Sequence, residues 1–325
     1  MAFCGEEAER ATALLLSDAH FHLGFVLDPA GFAIEAQRAR SLVFAASVTP
    51  REYRDTKRAL CCAFGSAQMK ASSTNEDAKG ALCCVPDPGQ AKAEATIGVA
   101  KGALCRAAAP SQLAVDFPFI KLAVGLHPWW VPADEGCLAE ELRAFDGTLS
   151  ETSYVGEVGL DFSKRRIATR DAQLCAFRHI AGACAKEGGK VLSIHCVKAY
   201  DDALSILKSS GCLASCTCIF HWFSGSFPQL AQAMDAGCFF SVSARMLETK
   251  KGREYAKAIP LQKMLLETDA PAVVDPEREH PSIAYSYDQM RRQLAETLQL
   301  LAQIRDIGEA ELAAIVQQNA REVFS

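Results

Sequence analysis

The sequence lacks the marks of several common kinds of protein. No apolar run approaches the roughly eighteen residues that a membrane-spanning helix needs. The opening residues, with Glu6, Glu7 and Glu9, lack the basic start and apolar stretch of a secretory signal peptide. There are 14 cysteines but no C-x-x-C spacing of a zinc ribbon, since Cys61-Cys62 and Cys83-Cys84 are merely adjacent. Without an export signal they read as reduced thiols, and the expected location is the cytoplasm. The net charge of −5 provides no bulk basicity for a long nucleic-acid footprint, though one strand end could still bind at a metal site. No glycine-rich phosphate loop follows the first apolar run, which weighs against a doubly wound open sheet.

What is present favours a large core. Half of the residues are hydrophobic, which argues against disorder. A length of 325 residues suits two average domains, or one α/β barrel. Behind Leu14-Leu15-Leu16 comes Asp18-Ala19-His20-Phe21-His22. On a strand, alternate side chains share a face, so Asp18, His20 and His22 would point together from its carboxyl end. Two histidines at i and i+2 make a bidentate claw for a divalent metal. Taken alone, they read equally well as surface loop histidines.

Further apolar runs, each bounded by turn signals and most followed by a helical pattern, continue the rhythm. They are Ser41 to Val48, Ile120 to Gly125, Val155 to Asp161, Val191 to His195, Cys218 to His221, Cys238 to Val242 and Met264 to Asp269. Helices are expected over Asp28 to Arg40, from Thr49-Pro50 to about Leu60, and over Asp134 to Phe145 and Ile167 to Lys186. Others should end near Lys208, cover Pro228 to Ala236, and fill the tail from about Ser282 to Phe324. Eight strands alternating with helices predict a (β/α)8 TIM barrel occupying 1–325 as one domain.

One stretch, about 57–112, breaks the rhythm. Lys57-Arg58-Ala59-Leu60-Cys61-Cys62 recurs as Lys79-Gly80-Ala81-Leu82-Cys83-Cys84 and as Lys101-Gly102-Ala103-Leu104-Cys105-Arg106, at 22-residue spacing. Three weakly apolar units bury little, so this reads as a tandem duplication inserted in a loop rather than a solenoid. Seven basic against four acidic side chains also fit a basic arm that touches nucleic acid, but a tolerated insertion is the simpler reading.

His20, His22, Glu157, His195, His221 and Asp269 all fall at carboxyl ends of predicted strands, the barrel face where active sites lie. Singly each has a plain explanation: a core histidine, a loop carboxylate, a helix cap before Pro271. Together, four histidines and two carboxylates supply ligands for two metal ions, one carboxylate bridging. Such a pair can activate a water and stabilise charge on a transferred phosphoryl group. Imidazole with carboxylate suits zinc or manganese better than magnesium, without choosing between them.

These motifs resemble the TatD-type metal-dependent hydrolases of the amidohydrolase-like barrels. The matching pieces are Asp18-Ala19-His20-Phe21-His22-Leu23, Gly125-Leu126-His127-Pro128 and Gly156-Glu157-Val158-Gly159-Leu160-Asp161. Ile194-His195, His221-Trp222-Phe223-Ser224-Gly225-Ser226, Leu266-Glu267-Thr268-Asp269-Ala270-Pro271 and Asn319-Ala320-Arg321-Glu322-Val323-Phe324 complete the set in family order. The resemblance implies a two-metal phosphodiesterase, typically a deoxyribonuclease trimming a DNA strand from its 3′ end. It places His20, His22 and Asp269 on one ion, His195 and His221 on the other, and Glu157 between them. Asp269 would accept the proton of the attacking water, and His127 would touch a phosphate.

Two departures concern the substrate side. Where the family follows its strand-five histidine with a small residue and then an arginine, this chain has Cys196-Val197-Lys198. Lys198 would then meet a phosphate without arginine's bidentate fork. Where the family often carries an Asn-Glu-Pro loop, this chain has Glu279-His280-Pro281. Rival readings are a lactonase or other ester or amide hydrolase, an aminoacyl-tRNA deacylase, and an inactive barrel used as a binding module. Glu157 rather than a lysine on strand four disfavours the rivals that bridge their metals with a carboxylated lysine. No membrane partner is expected, and a monomer is favoured.

Overall fold

Eight apolar runs become eight parallel strands whose order around the sheet is their order in the chain. The structure, a computed structural model, describes residues 15–72, 117–272 and 282–325. The strands are β1 Asp18–Phe21, β2 Val43–Ala46, β3 Ile120–Leu126, β4 Tyr154–Asp161, β5 Val191–Val197, β6 Thr217–His221, β7 Phe239–Val242 and β8 Met264–Leu266. Beyond β8 the ladder returns to β1: Asp269 N donates to His20 O (3.0 Å), and His22 N donates to Ala270 O (2.8 Å). Asp18 locks this seam, accepting from Thr268 N (3.1 Å) and Thr268 Oγ1 (2.6 Å). The strands are buried almost throughout, as expected of a parallel sheet covered by helices.

Helices α1 Pro29–Ala39, α2 Pro50–Ser72, α3 Glu135–Leu149, α4 Arg170–Glu187, α5 Tyr200–Ser209, α6 Phe227–Asp235, α7 Lys250–Ala258, α8 Tyr287–Arg305 and α9 Glu309–Phe324 alternate with the strands. Their starts are written locally. Asp28 caps α1, accepting from Gly31 N with Pro29 in the first turn. Ser226 with Gln229 and Ser286 with Gln289 form capping boxes on α6 and α8.

Three expectations shift. The tail is two helices, because Asp306 ends α8 in the left-handed region (φ 52°). The helix expected to end near Leu60 runs on to Ser72, so the first repeat copy, Lys57 to Cys62, is helical. Tyr53, Thr56 and Leu60 on its buried face explain why it forms there. Helix α7 was not foreseen, because few of its residues are apolar and only Gly252, Tyr255 and Ala256 are buried. The second and third repeat copies and Glu279-His280-Pro281 lie outside the described residues.

The chain divides into two compact units, 1–60 with 117–325, and 61–116. The first is the barrel. Of the second, the described part is the end of α2.

The barrel has two apolar clusters. The larger lies between strands and helices. The smaller joins Ala19, Phe44, Ile219, Phe239 and Leu265 to Val323 and Phe324 of α9. Phe324 packs 5.7 Å from the Phe44 ring, and Tyr154 Oη donates to Phe324 O (3.0 Å). The last turn of the chain thus packs against strand side chains beneath the histidines. Two glycines let the strands carrying the site come close: a Cβ on Gly125 would lie 2.1 Å from Ser47 O, and one on Gly159 would lie 2.0 Å from His195 O.

Candidate metal centre

Glu157, 1% exposed, stands at the middle of the strand ends with its two oxygens facing different sets of imidazoles. Oε2 lies 3.2 Å from His20 Nε2 and 3.4 Å from His22 Nε2. Oε1 lies 2.7 Å from His195 Nδ1, 2.8 Å from His221 Nε2 and 3.1 Å from His127 Nε2. Asp269 Oδ1 approaches His22 Nε2 at 3.5 Å and His20 Nε2 at 3.8 Å, while the two Nε2 atoms are 3.3 Å apart. His20 and His195 come from among the last residues of β1 and β5, His22 from just after β1, His221 from the end of β6 and Asp269 from after β8. Glu157, expected at a carboxyl end, comes instead from the middle of β4.

These separations suit metal ions. Donors about 2.0–2.2 Å from a tetrahedral ion lie about 3.3–3.6 Å from one another. The imidazole–imidazole and imidazole–carboxylate separations among His20, His22, Glu157 and Asp269 run from 3.2 to 3.8 Å, and His195 and His221 are 3.4 Å apart beside the other Glu157 oxygen. Three groups have ligand atoms all within 4.8 Å of one another: His20 with His22 and Asp269, His20 with Glu157 and His221, and His127 with Glu157 and His195.

Hydrogen bonds sort the last group differently. His127 Nδ1 accepts from Trp129 N (3.0 Å), so its proton sits on Nε2, the atom facing Glu157. A nitrogen holding a proton donates and does not ligate. His127 therefore directs an N–H toward Glu157 Oε1 rather than a free lone pair. His20 makes the opposite choice: its Nδ1 shares a 2.7 Å hydrogen bond with Ser193 Oγ, leaving Nε2 free for a ligand role.

Charges follow from burial and neighbours. Burial, then the nearby His221, pushes His20 down to about 4, and burial brings His127 to about 4, so both are neutral at pH 7. Burial opposes a charge on His221 as well, but Glu157 outweighs it and holds His221 at about 9. Burial likewise opposes ionisation of Glu157, which His127, His221 and His20 nonetheless keep well below the usual carboxylate range. Asp269 is lowered too, its burial overcome by the hydrogen bond from His22 and the charge of His221. Two ionised carboxylates among imidazoles are the donor set a divalent ion needs.

Above the histidines opens a cavity of about 300 Å³, walled by Trp129 and Trp222 and by Cys196, Val197, Ser224 and Arg245. Lys198 is exposed at the end of β5, with φ 55°, and is not among the residues lining it. All seven other residues expected at the site are brought together. Several supporting residues went unread. Asp161 accepts from Trp129 Nε1 (2.7 Å) and lies 3.4 Å from His195 Nε2; it stood in the Gly156-to-Asp161 motif without a role. Glu267 accepts from Trp222 N (3.1 Å) and from Ser241 Oγ. Ser193 and Arg245 carried no local signal.

A parallel eight-stranded barrel with buried histidines and carboxylates gathered where its strands end is the architecture of a metal-dependent hydrolase. The chain belongs to the TatD related DNase family, whose sequence model matches residues 17–325. It is 29% identical over 223 residues to the metal-dependent hydrolase YabD of Bacillus subtilis, covering 66% of this chain and 80% of that one. It is 30% identical over 210 residues to the 3′-5′ ssDNA/RNA exonuclease TatD of Erwinia tasmaniensis, covering 62% and 76%. A TatD family hydrolase from Entamoeba histolytica shares the fold with a TM-score of 0.61 at 15% identity, over 96% of this chain and 99% of that one.

Proposed function

We propose that the protein is a two-metal phosphodiesterase that shortens single-stranded DNA from its 3′ end. The observation that carries this reading is the position of Glu157, one oxygen toward His20 and His22, the other toward His195 and His221. The names of the curated relatives, several of them 3′-5′ exonucleases or deoxyribonucleases, supply the substrate class.

His20, His22 and Asp269 would hold one ion, His195 and His221 the second, with Glu157 shared. Zinc or manganese suits this imidazole-rich set better than magnesium. Bound there, two ions supply positive charge at the phosphoryl group and lower the pKa of water. Asp269, ionised at neutral pH and facing the cavity, receives the proton of the attacking water. His127 donates from Nε2 to a phosphate oxygen, held in that tautomer by Trp129 N. Asp161 orients His195, and Ser193 orients His20. All ten cysteines among the described residues are free, which supports the reducing cytoplasm as the place of action. No helix among the described residues is long and apolar enough to cross a membrane.

The test is a 5′-labelled single-stranded oligonucleotide incubated with chelator-stripped protein to which zinc, manganese or magnesium is restored. The reading predicts metal-dependent stepwise shortening that Glu157→Ala abolishes. Intact DNA beside a hydrolysed aryl ester would leave the metal centre and remove the nuclease assignment.

A further inference from the structure

The cavity over the histidines is lined by two carboxylates, Glu157 and Asp269, yet a phosphodiester strand is anionic. Among the described residues lining it, Arg245 is the sole lysine or arginine. It sits just beyond β7, in the one-turn helix Ala244–Leu247, and its guanidinium lies 4.9 Å above the centroid of the Trp222 indole. Among the described residues that guanidinium makes no ion pair and no hydrogen bond, although it is exposed and two acidic side chains share its cavity. An arginine held over an aromatic ring with its N–H donors unspent is preorganised to pair with two oxygens of a phosphate.

Its shelf is fixed to the floor of the site. Trp222 directly follows His221, and its N–H is held by Glu267 Oε1 (3.1 Å), whose other oxygen accepts from Ser241 Oγ. The end of β5 offers no such cation, because Val197 lines the cavity while Lys198 does not. Arg245 also lines the adjoining cavity with Pro271 and Tyr285, so it stands at the rim rather than over Glu157.

We propose that Arg245, laid on Trp222, binds the backbone phosphate next to the scissile one and so makes a strand, rather than a single phosphodiester, the preferred substrate. The inference rests on the nuclease reading above. It assigns the charge that the strand-five end does not bring to the cavity.

The experiment compares wild type, Arg245→Ala and Arg245→Lys, all metal-loaded, on a single-stranded oligonucleotide and on a dinucleoside monophosphate, which has no second phosphate. Arg245→Ala should raise KM on the oligonucleotide by about tenfold, with kcat little changed, and leave the dinucleoside untouched. The slope of log affinity against log salt for the oligonucleotide should shrink by about 0.7, the value of one phosphate contact on a single strand. Arg245→Lys should keep the slope and recover part of the KM. An unchanged oligonucleotide KM and slope in Arg245→Ala, or an equal loss on both substrates, would overturn the proposal while the nuclease reading stands. Wild type that cleaves an aryl phosphodiester but neither nucleic acid would remove the nuclease reading, and this inference with it.

Discussion

At the scale of single residues, the centre depends on which nitrogen each imidazole turns inward, and that is decided one bond further out. Ser193 Oγ on His20 Nδ1 leaves Nε2 toward Glu157, whereas Trp129 N on His127 Nδ1 leaves a proton there. Removing the first of these supports should loosen one ion without disturbing the fold, since Ser193 packs as a small buried side chain. Ser193→Ala is expected to weaken metal affinity by about 10–100-fold, read by titrating the stripped protein with zinc or manganese. An unchanged affinity would mean that the barrel alone orients His20. The candidate ligands were legible in the sequence because most stand at or near the end of an apolar run, Glu157 in the middle of β4 being the exception. Ser193 and Arg245 were not, because their partners, His20 and Trp222, come from other strands, and pairing across a barrel leaves no mark in spacing. Lys198 shows the converse: it stands at the expected position after His195, but it is exposed and does not line the cavity.

At the scale of elements, the strands carry the site because their inner side chains fill the barrel below it. Phe44 of β2 is fully buried, packs on Phe324 of α9, and would lie 3.1 Å from a Cβ on Gly156. Phe44→Ala should cost about 3–5 kcal/mol in denaturant unfolding, because the surrounding strands cannot close on the space left. A loss below 1 kcal/mol would show a barrel interior more yielding than this packing implies. The strands were readable from apolar runs between turn signals. Helix α7 was not, since an amphipathic helix with so narrow a buried face resembles a polar loop. The break between α8 and α9 was missed because Asp306, an ordinary polar residue, supplies the left-handed turn usually given to glycine.

At the scale of the whole molecule, a cluster of buried ionisable groups sets how the metal-free protein responds to pH. Burial raises Asp18 to about 7, Glu52 to about 7 and Glu267 to about 8, while Glu157 holds His221 at about 9 against its burial. Each keeps a proton in the folded state at a pH where the unfolded chain has lost it, so its stabilisation fades as pH rises through the folded value. The lowered carboxylates Glu157, Asp269 and Asp161 finish titrating in both states well below pH 7. His20 and His127 keep only about a quarter of a proton each in the unfolded chain at pH 7, less than the raised groups hold in the folded one. From pH 7 to 9 the metal-free protein should therefore melt at progressively lower temperature. A flat or rising melting temperature over that window would contradict the assignment of these protons. The duplicated stretch bears on the same scale. Its small and polar composition leads us to expect that deleting residues 61–112 preserves both barrel and activity; loss of either would make the insertion part of the working molecule.

The proposed sharing of Glu157 between two ions is open to a direct metal titration. Chelator-stripped protein is given measured equivalents of manganese or zinc while oligonucleotide cleavage is followed. Activity should saturate at about two ions per chain in wild type and be lost in Glu157→Ala. Full activity without restored metal, or saturation unaltered by Glu157→Ala, would contradict it.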